Sequence, residues 1–272
     1  MLHNSLHHRG SHQANTPATP SSEVRHSLDN PTHVQWSSER ALAGAIYGFD
    51  SIDPRSRSFN LIRGRLLQLM RQRGSRAVGV VSATPEVGKS FVSANISASL
   101  SRDPRIRTFA VDLDLRRGSL TAQFGIVPER GLSEHLSTGT PLETFQLNGE
   151  NLTIVPTMGG FMHSAELLAS PRAEAFFQTL QSSNDRDLFI CDLPPVFAND
   201  DAVAAMAHLD CYVLVSEEGR TTEREVRDAV AALGRERLAG VILNKFRGGL
   251  VSDGYGVDPY YAQGYGSPTS PR

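Results

Sequence analysis

Eleven residues constrain this chain more than any others. The run Val80-Val81-Ser82-Ala83-Thr84-Pro85-Glu86-Val87-Gly88-Lys89-Ser90 follows a short apolar stretch and opens a helical pattern. Strand, loop and helix in that order are the context a phosphate-binding loop requires. Gly88 lets backbone N–H groups close on phosphate, Lys89 brings a point charge to the β and γ oxygens, and Ser90 offers a hydroxyl to Mg²⁺. The positive end of the helix dipole adds to the attraction. ATP and Mg²⁺ are therefore the expected cofactors, with Thr84, Pro85, Glu86, Val87, Gly88, Lys89, Ser90 and Phe91 as the predicted cradle. The first glycine of the usual G-x-x-x-x-G-K-[ST] pattern is replaced by Ala83.

Two acidic strand ends strengthen the reading. Val111-Asp112-Leu113-Asp114 and Phe189-Ile190-Cys191-Asp192-Leu193-Pro194-Pro195 each close an apolar run with aspartate. Ligands of an open parallel sheet collect at the carboxyl ends of its strands, so Asp112, Asp114 and Asp192 are predicted to converge on the phosphate and metal. A lone aspartate in such a place would more often be a turn or helix-cap residue.

Around these motifs the chain alternates strand and helix signals. Strands are predicted at 77–82, 108–113, 152–156, 188–192, 211–216 and 239–244, with helices near 89–101, 171–182, 200–208 and 222–234. Phe59, Ile62, Leu66, Leu69 and Met70 recur at helical spacing and predict a further amphipathic helix from Arg57 to Arg73. Thr222 and Glu225 form a capping-box start. The expected fold is α/β, a P-loop NTPase with a doubly wound, mostly parallel sheet and helices on both faces. Residues 1–40, rich in Ser, His and Pro, are read as a disordered tail, 41–246 as the catalytic domain and 247–272 as a flexible Gly/Tyr-rich tail. Six of the nine histidines fall in the first segment, at irregular spacing and with no metal-ligand pattern.

A formal net charge of −2 gives no basis for non-specific attraction to nucleic acid, which is not an expected partner. Cys191 and Cys211 lie inside apolar runs and read as buried thiols of a reducing compartment. No apolar run approaches the ~20 residues of a membrane span, so the expected location is cytoplasmic, peripheral to the inner membrane through a partner.

The combination of Pro-x-x-Gly-Lys-Ser, Asp-x-Asp-x-Arg and Asp-x-Pro-Pro resembles the bacterial tyrosine kinases of capsule and exopolysaccharide systems. The similarity continues through Gly131-Leu132-Ser133-Glu134, Glu166-Leu167-Leu168, Asp201 and Val241-Ile242-Leu243-Asn244. The resemblance implies a protein-tyrosine autokinase. In it Lys89, Asp112 and Asp114 are catalytic, with Asp112 as the base beside the attacking tyrosine. Ser90, Asp114 and Asp192 would organise the metal, and Asn244 would lie near the adenine. Arg116 and Arg117 would flank the site. Four of the six tyrosines, Tyr255, Tyr260, Tyr261 and Tyr265, lie in the last 18 residues and match the family's autophosphorylation cluster. At ~3.5 Å per residue the segment from Asn244 to Tyr255 reaches about 38 Å, far enough for a site on the same molecule or a neighbour. Filling the cluster would add about −1.5 to −2 charges per tyrosine.

The resemblance also implies partners: a transmembrane chain-length-determinant protein acting as activator, a tyrosine phosphatase, and other copies of the chain. The family's helix motif Glu-x-x-Arg-x-x-Arg, tied to ring assembly, is reduced here to Arg57, Asn60 and Arg63. Two other functions share the nucleotide motifs. One is a catalytically weak, nucleotide-binding regulator of a polysaccharide export complex. The other is a partition-type ATPase switch, in which a second lysine would stand where this chain has Thr84.

Overall fold

Alternation of apolar runs with helix-length segments yields one eight-stranded sheet. In the computed structural model, which describes residues 20–247, the strands are β1 (Thr32–Val34), β2 (Ala77–Ser82), β3 (Arg107–Asp112), β4 (Phe145–Leu147), β5 (Leu152–Val155), β6 (Asp187–Asp192), β7 (Cys211–Glu217) and β8 (Leu238–Asn244). Their spatial order is β1-β4-β5-β3-β6-β2-β7-β8. All neighbours run parallel except β4 and β5. β2 lies between β6 and β7, so the strand that feeds the phosphate-binding loop sits inside the sheet.

Helices cover both faces. α3 (Arg57–Arg73) and α4 (Lys89–Ser101) pack on one face. α1 (Pro20–Asp29), α8 (Pro171–Gln181), α9 (Asp201–Met206) and α10 (Glu223–Leu233) pack on the other. β2 shows why: Val78 and Val80 enter the cluster with Phe59, Leu66 and Ile96, while Ala77 and Val81 enter the cluster with Leu28, Phe176 and Leu233. Successive side chains of a strand point to opposite faces, so a strand covered on both sides reads as a continuous apolar run. α4 lies close to the sheet because Ser93, Ala94, Ser97 and Ala98 are small and fully buried. The shorter helices are α2 (Ser38–Ala43), α5 (Ser119–Gln123), α6 (Leu132–Thr138) and α7 (Ser164–Leu168).

The predicted fold class and the six long strands agree with the structure. α3 and α4 carry their predicted bounds, and Thr222 and Glu225 close a reciprocal cap with bonds of 3.2 and 2.8 Å. Both cysteines are buried and unpaired.

The expectation of a disordered tail to residue 40 is corrected for residues 20–40. Val24 and Leu28 of α1 are buried against α8, Arg25 donates to Ser183 Oγ at 2.9 Å, and β1 adds a parallel strand beside β4. Two apolar residues four apart suffice to hold a helix once a partner face exists, and a local composition count does not see that face. Residues 1–19 and 248–272 lie outside the described residues, and with them most of both predicted tails. Leu28→Ala is expected to lower stability by about 2 to 4 kcal/mol in denaturant unfolding. No change would mean that α1 is not part of the folded unit.

Candidate nucleotide and metal site

The carboxyl ends of β2, β3 and β6 meet at one place, since these strands are consecutive in the sheet and in register. Asp112 of β3 pairs with Asp192 of β6, and Val80 of β2 pairs with the same Asp192. The loop after β2 rises from this edge and turns into α4 at Gly88, whose φ of 88° favours glycine. A Cβ there would stand 2.2 Å from Asn244 Nδ2, so glycine is also required for space. Asn244 itself donates to the Val87 carbonyl at 2.8 Å and latches the loop to the end of β8. Val87 is buried and anchors the loop from below.

Ala83 at the first glycine position is compatible with this geometry. It is buried without a positive φ, and the left-handed residues of the loop are Gly88 and, as its non-glycine member, Glu86 at φ 66°. That conformation is costly for a non-glycine residue. Its carbonyl accepts from Lys245 Nζ at 2.9 Å, and Lys245 is held by Glu217 at 3.0 Å.

Below the loop the charges converge as predicted. Lys89 Nζ lies 3.4 Å from Asp192 Oδ1 and 3.8 Å from Asp114 Oδ2, and all three side chains are almost wholly buried. Ser90 Oγ donates to Asp192 Oδ2 at 2.5 Å, and Ser93 Oγ donates to Asp192 Oδ1 at 2.9 Å. Asp112 is also fully buried, and its Oδ2 accepts from the Thr121 N–H at 2.8 Å and the Thr121 hydroxyl at 2.7 Å. Burial pushes the Asp112 carboxyl up to about 7, the charge of Asp192 adds to the rise, and Thr121 and Lys89 oppose it. Asp114 is also raised, first by burial and then by Asp192, against the pull of Lys89.

Of the remaining predicted residues, Phe91 is turned away from the loop. Its ring packs edge-on against Phe59 at 5.7 Å and Tyr47 at 6.2 Å, so only its backbone belongs to the first turn of α4. The Glu86 side chain is exposed, while Thr84 and Pro85 are half-buried in the loop. Arg116 Nε donates to Ser164 Oγ at 2.8 Å and to Asp201 Oδ2 at 3.1 Å, so its guanidinium is held by the starts of α7 and α9. Tyr255, Tyr260, Tyr261 and Tyr265 lie outside the described residues. Sequence reasoning missed Ser93, Thr121 and Lys245. Ser93 lies one turn after Lys89 on α4, and that i, i+4 spacing was a usable signal. Thr121 reaches Asp112 through a short helix that had no signal of its own.

The donor set fits a hard cation. A serine hydroxyl and carboxylate oxygens suit Mg²⁺, which takes one or two carboxylates and completes its shell with water and phosphate. Among the described residues no group of three or more His, Cys, Asp or Glu forms a protein-only metal cage.

Comparison with known proteins decides the family. No family model matches the chain. The tyrosine-protein kinase EpsB of Ralstonia solanacearum, described as putative, is 30% identical over 231 residues, covering 80% of this chain and 30% of that protein. The succinoglycan biosynthesis transport protein ExoP of Rhizobium meliloti is 34% identical over 186 residues, covering 65% of this chain and 23% of ExoP. The solved kinase domain of Escherichia coli tyrosine kinase ETK superposes with a TM-score of 0.62 at 25% identity, covering 83% of this chain and 92% of that domain. The chain belongs to the bacterial tyrosine-kinase family. It spans less than a third of the length of these curated relatives, 30% of EpsB and 23% of ExoP. In this family member the nucleotide motifs read from sequence occupy one continuous site.

The raised Asp112 carboxyl has a consequence for stability. A carboxyl whose folded value exceeds its ordinary one contributes stability below about pH 4 that is lost as pH rises toward 7. In chelator-treated protein the melting temperature is therefore expected to fall between pH 4 and 7.5, and Asp112→Asn is expected to flatten that slope. Parallel curves for the two proteins would contradict the assignment.

Proposed function

We propose that this chain is an ATP- and Mg²⁺-dependent protein-tyrosine autokinase serving exopolysaccharide production, with Tyr255, Tyr260, Tyr261 and Tyr265 as acceptors. The observation that carries the reading is the buried cluster of Lys89, Ser90, Asp114 and Asp192 beneath a glycine-gated loop, in a chain related to EpsB and ETK. Loop N–H groups and Lys89 bind the phosphates. Ser90 and Asp192 hold Mg²⁺, with Asp114 directly or through water, and Asn244 lies toward the base. The metal neutralises charge on the transferring phosphoryl group when bound. The phenol attacks the γ-phosphorus, ADP leaves, and the phenolic proton passes to Asp112. A phenol ionises near ~10, so a carboxyl raised toward neutrality is a better-matched acceptor than an ordinary one. Thr121 keeps that carboxyl oriented.

The similarity to ExoP, a succinoglycan biosynthesis transport protein, supports the link to polysaccharide. No helix among the described residues is long and apolar enough to cross a membrane. A transmembrane chain-length protein as activator, a tyrosine phosphatase and self-association at the inner membrane complete the proposal. One observation favours a second reading: Asp112 has no exposed surface. A chain that binds nucleotide and regulates export without transferring phosphate would fit that burial. The partition-type switch has less support, since Thr84 replaces its second lysine.

Incubation with ATP and Mg²⁺, with and without the cytoplasmic fragment of a membrane partner, followed by phosphate mapping by mass spectrometry, separates the two. Phosphate on the tail tyrosines, reduced at least about 100-fold in Lys89→Met, is the expected result. Bound ATP with no modified tyrosine under either condition would favour the regulator.

A further inference from the structure

Remote in sequence from the phosphate loop, the segment following β1 and the turn after β4 wall a cavity of about 250 Å³. Its aromatic walls are Trp36, Tyr47 and Phe49, with Trp36 edge-on to Phe49 at 5.8 Å. Its polar lining is acidic. Asp53 and Arg55 neutralise each other in a 2.6 Å ion pair, and Asp50 accepts from the Ile52 N–H at 2.8 Å and lies in the field of Arg102, which leaves the charge of Glu150 uncompensated. The half-buried Glu150 carboxyl has no hydrogen-bond or ion-pair partner among the described residues, and burial raises its pKa. The Arg55 guanidinium lies over the Tyr47 ring at 4.0 Å, so an aromatic wall of this cavity already carries a cation on its face.

We propose that this cavity receives a lysine or arginine side chain from the cytoplasmic segment flanking a partner's membrane span. The inference rests on the function proposed above, which supplies the membrane partner. Cytoplasmic segments flanking a span carry an excess of Lys and Arg, the complement of an aromatic cavity with an unpartnered carboxylate.

The cavity is joined to the nucleotide site through α4. The Tyr47 and Gly48 N–H groups donate to Asn95 Oδ1 at 2.7 and 3.1 Å, and a Cβ on Gly48 would stand 2.3 Å from the Asn95 carbonyl. The Tyr47 ring rests edge-on against Phe91. Asn95 and Phe91 belong to the helix that opens at Lys89. A cation held against this wall therefore pins the segment that braces the phosphate-binding helix.

Trp36 is the only tryptophan of the chain, so its emission reports the cavity directly. The full chain at 0.15 M salt is titrated with a hexapeptide alternating Gly with Lys and Arg, and with a Gly/Glu control. A saturable emission change is expected for the basic peptide only, weakened about tenfold in Glu150→Gln and less in the exposed Asp50→Asn. Absence of saturation, or equal affinity in Glu150→Gln, overturns the proposal. Emission that varies with protein concentration and ignores peptide assigns the cavity to a second copy and also overturns it. Magnesium-ADP affinity is measured on the same samples. If ADP binds and the peptide does not, this inference falls alone; if neither binds, the function reading falls with it.

Discussion

The Lys89 ammonium, lying between Asp192 and Asp114, is the interaction on which the site depends. Asp112, Asp114 and Asp192 stand at the ends of two adjacent strands, with almost no exposed surface. Burying like charges together raises the cost of ionising each of them, and the rise at Asp112 and Asp114 records that cost. One buried cation and the hydroxyls of Ser90, Ser93 and Thr121 offset part of it. A charge cluster of this kind is poor evidence of stabilisation, because an apolar cluster of equal volume would commonly hold the fold as well. Its net negative character and its place under a loop of phosphate-binding type accord with service to a cationic ligand.

Sheet topology makes the convergence unavoidable. With β2 between β6 and β7, and β3 beside β6, all loops leaving the carboxyl ends of these parallel strands emerge at one edge. The lysine of the first loop and the carboxylates of the other two then meet without any long-range adjustment of the backbone. Asn244 arrives at the same edge because β8 also runs parallel, and its amide closes the loop over Gly88. The small residues of α4 bring the helix near enough to the sheet for Ser90 and Ser93 to reach Asp192.

The parts of this arrangement that were legible in the sequence are those fixed by local pattern. Continuous apolar runs ending in aspartate mark strands buried on both faces, and Gly-Lys-Ser marks the start of α4. The bounds of α3 follow from its stripe from Phe59 to Met70 and the glycine at its end, Gly74 at φ 66°. Elements that exist only by virtue of a partner were not legible. α1 carries two core residues, and β1 and β4 are three residues long, too short to display an alternation. Thr121 and Lys245 act through side chains that meet their targets only after the sheet has formed. The orientation of the Phe91 ring was not legible for the same reason: packing against Phe59 and Tyr47 turns the side chain away from the loop and leaves its backbone in the first turn of α4.

The central claim is that the buried cluster of Lys89, Ser90, Asp114 and Asp192 is a magnesium-nucleotide site. Titration calorimetry of ADP into the purified chain, once with Mg²⁺ and once with a chelator, tests it most directly. The account requires at least a tenfold loss of affinity when Mg²⁺ is withheld, since ADP then meets the carboxylates of Asp114 and Asp192 without a cation between them. Equal affinity in the two conditions would contradict it.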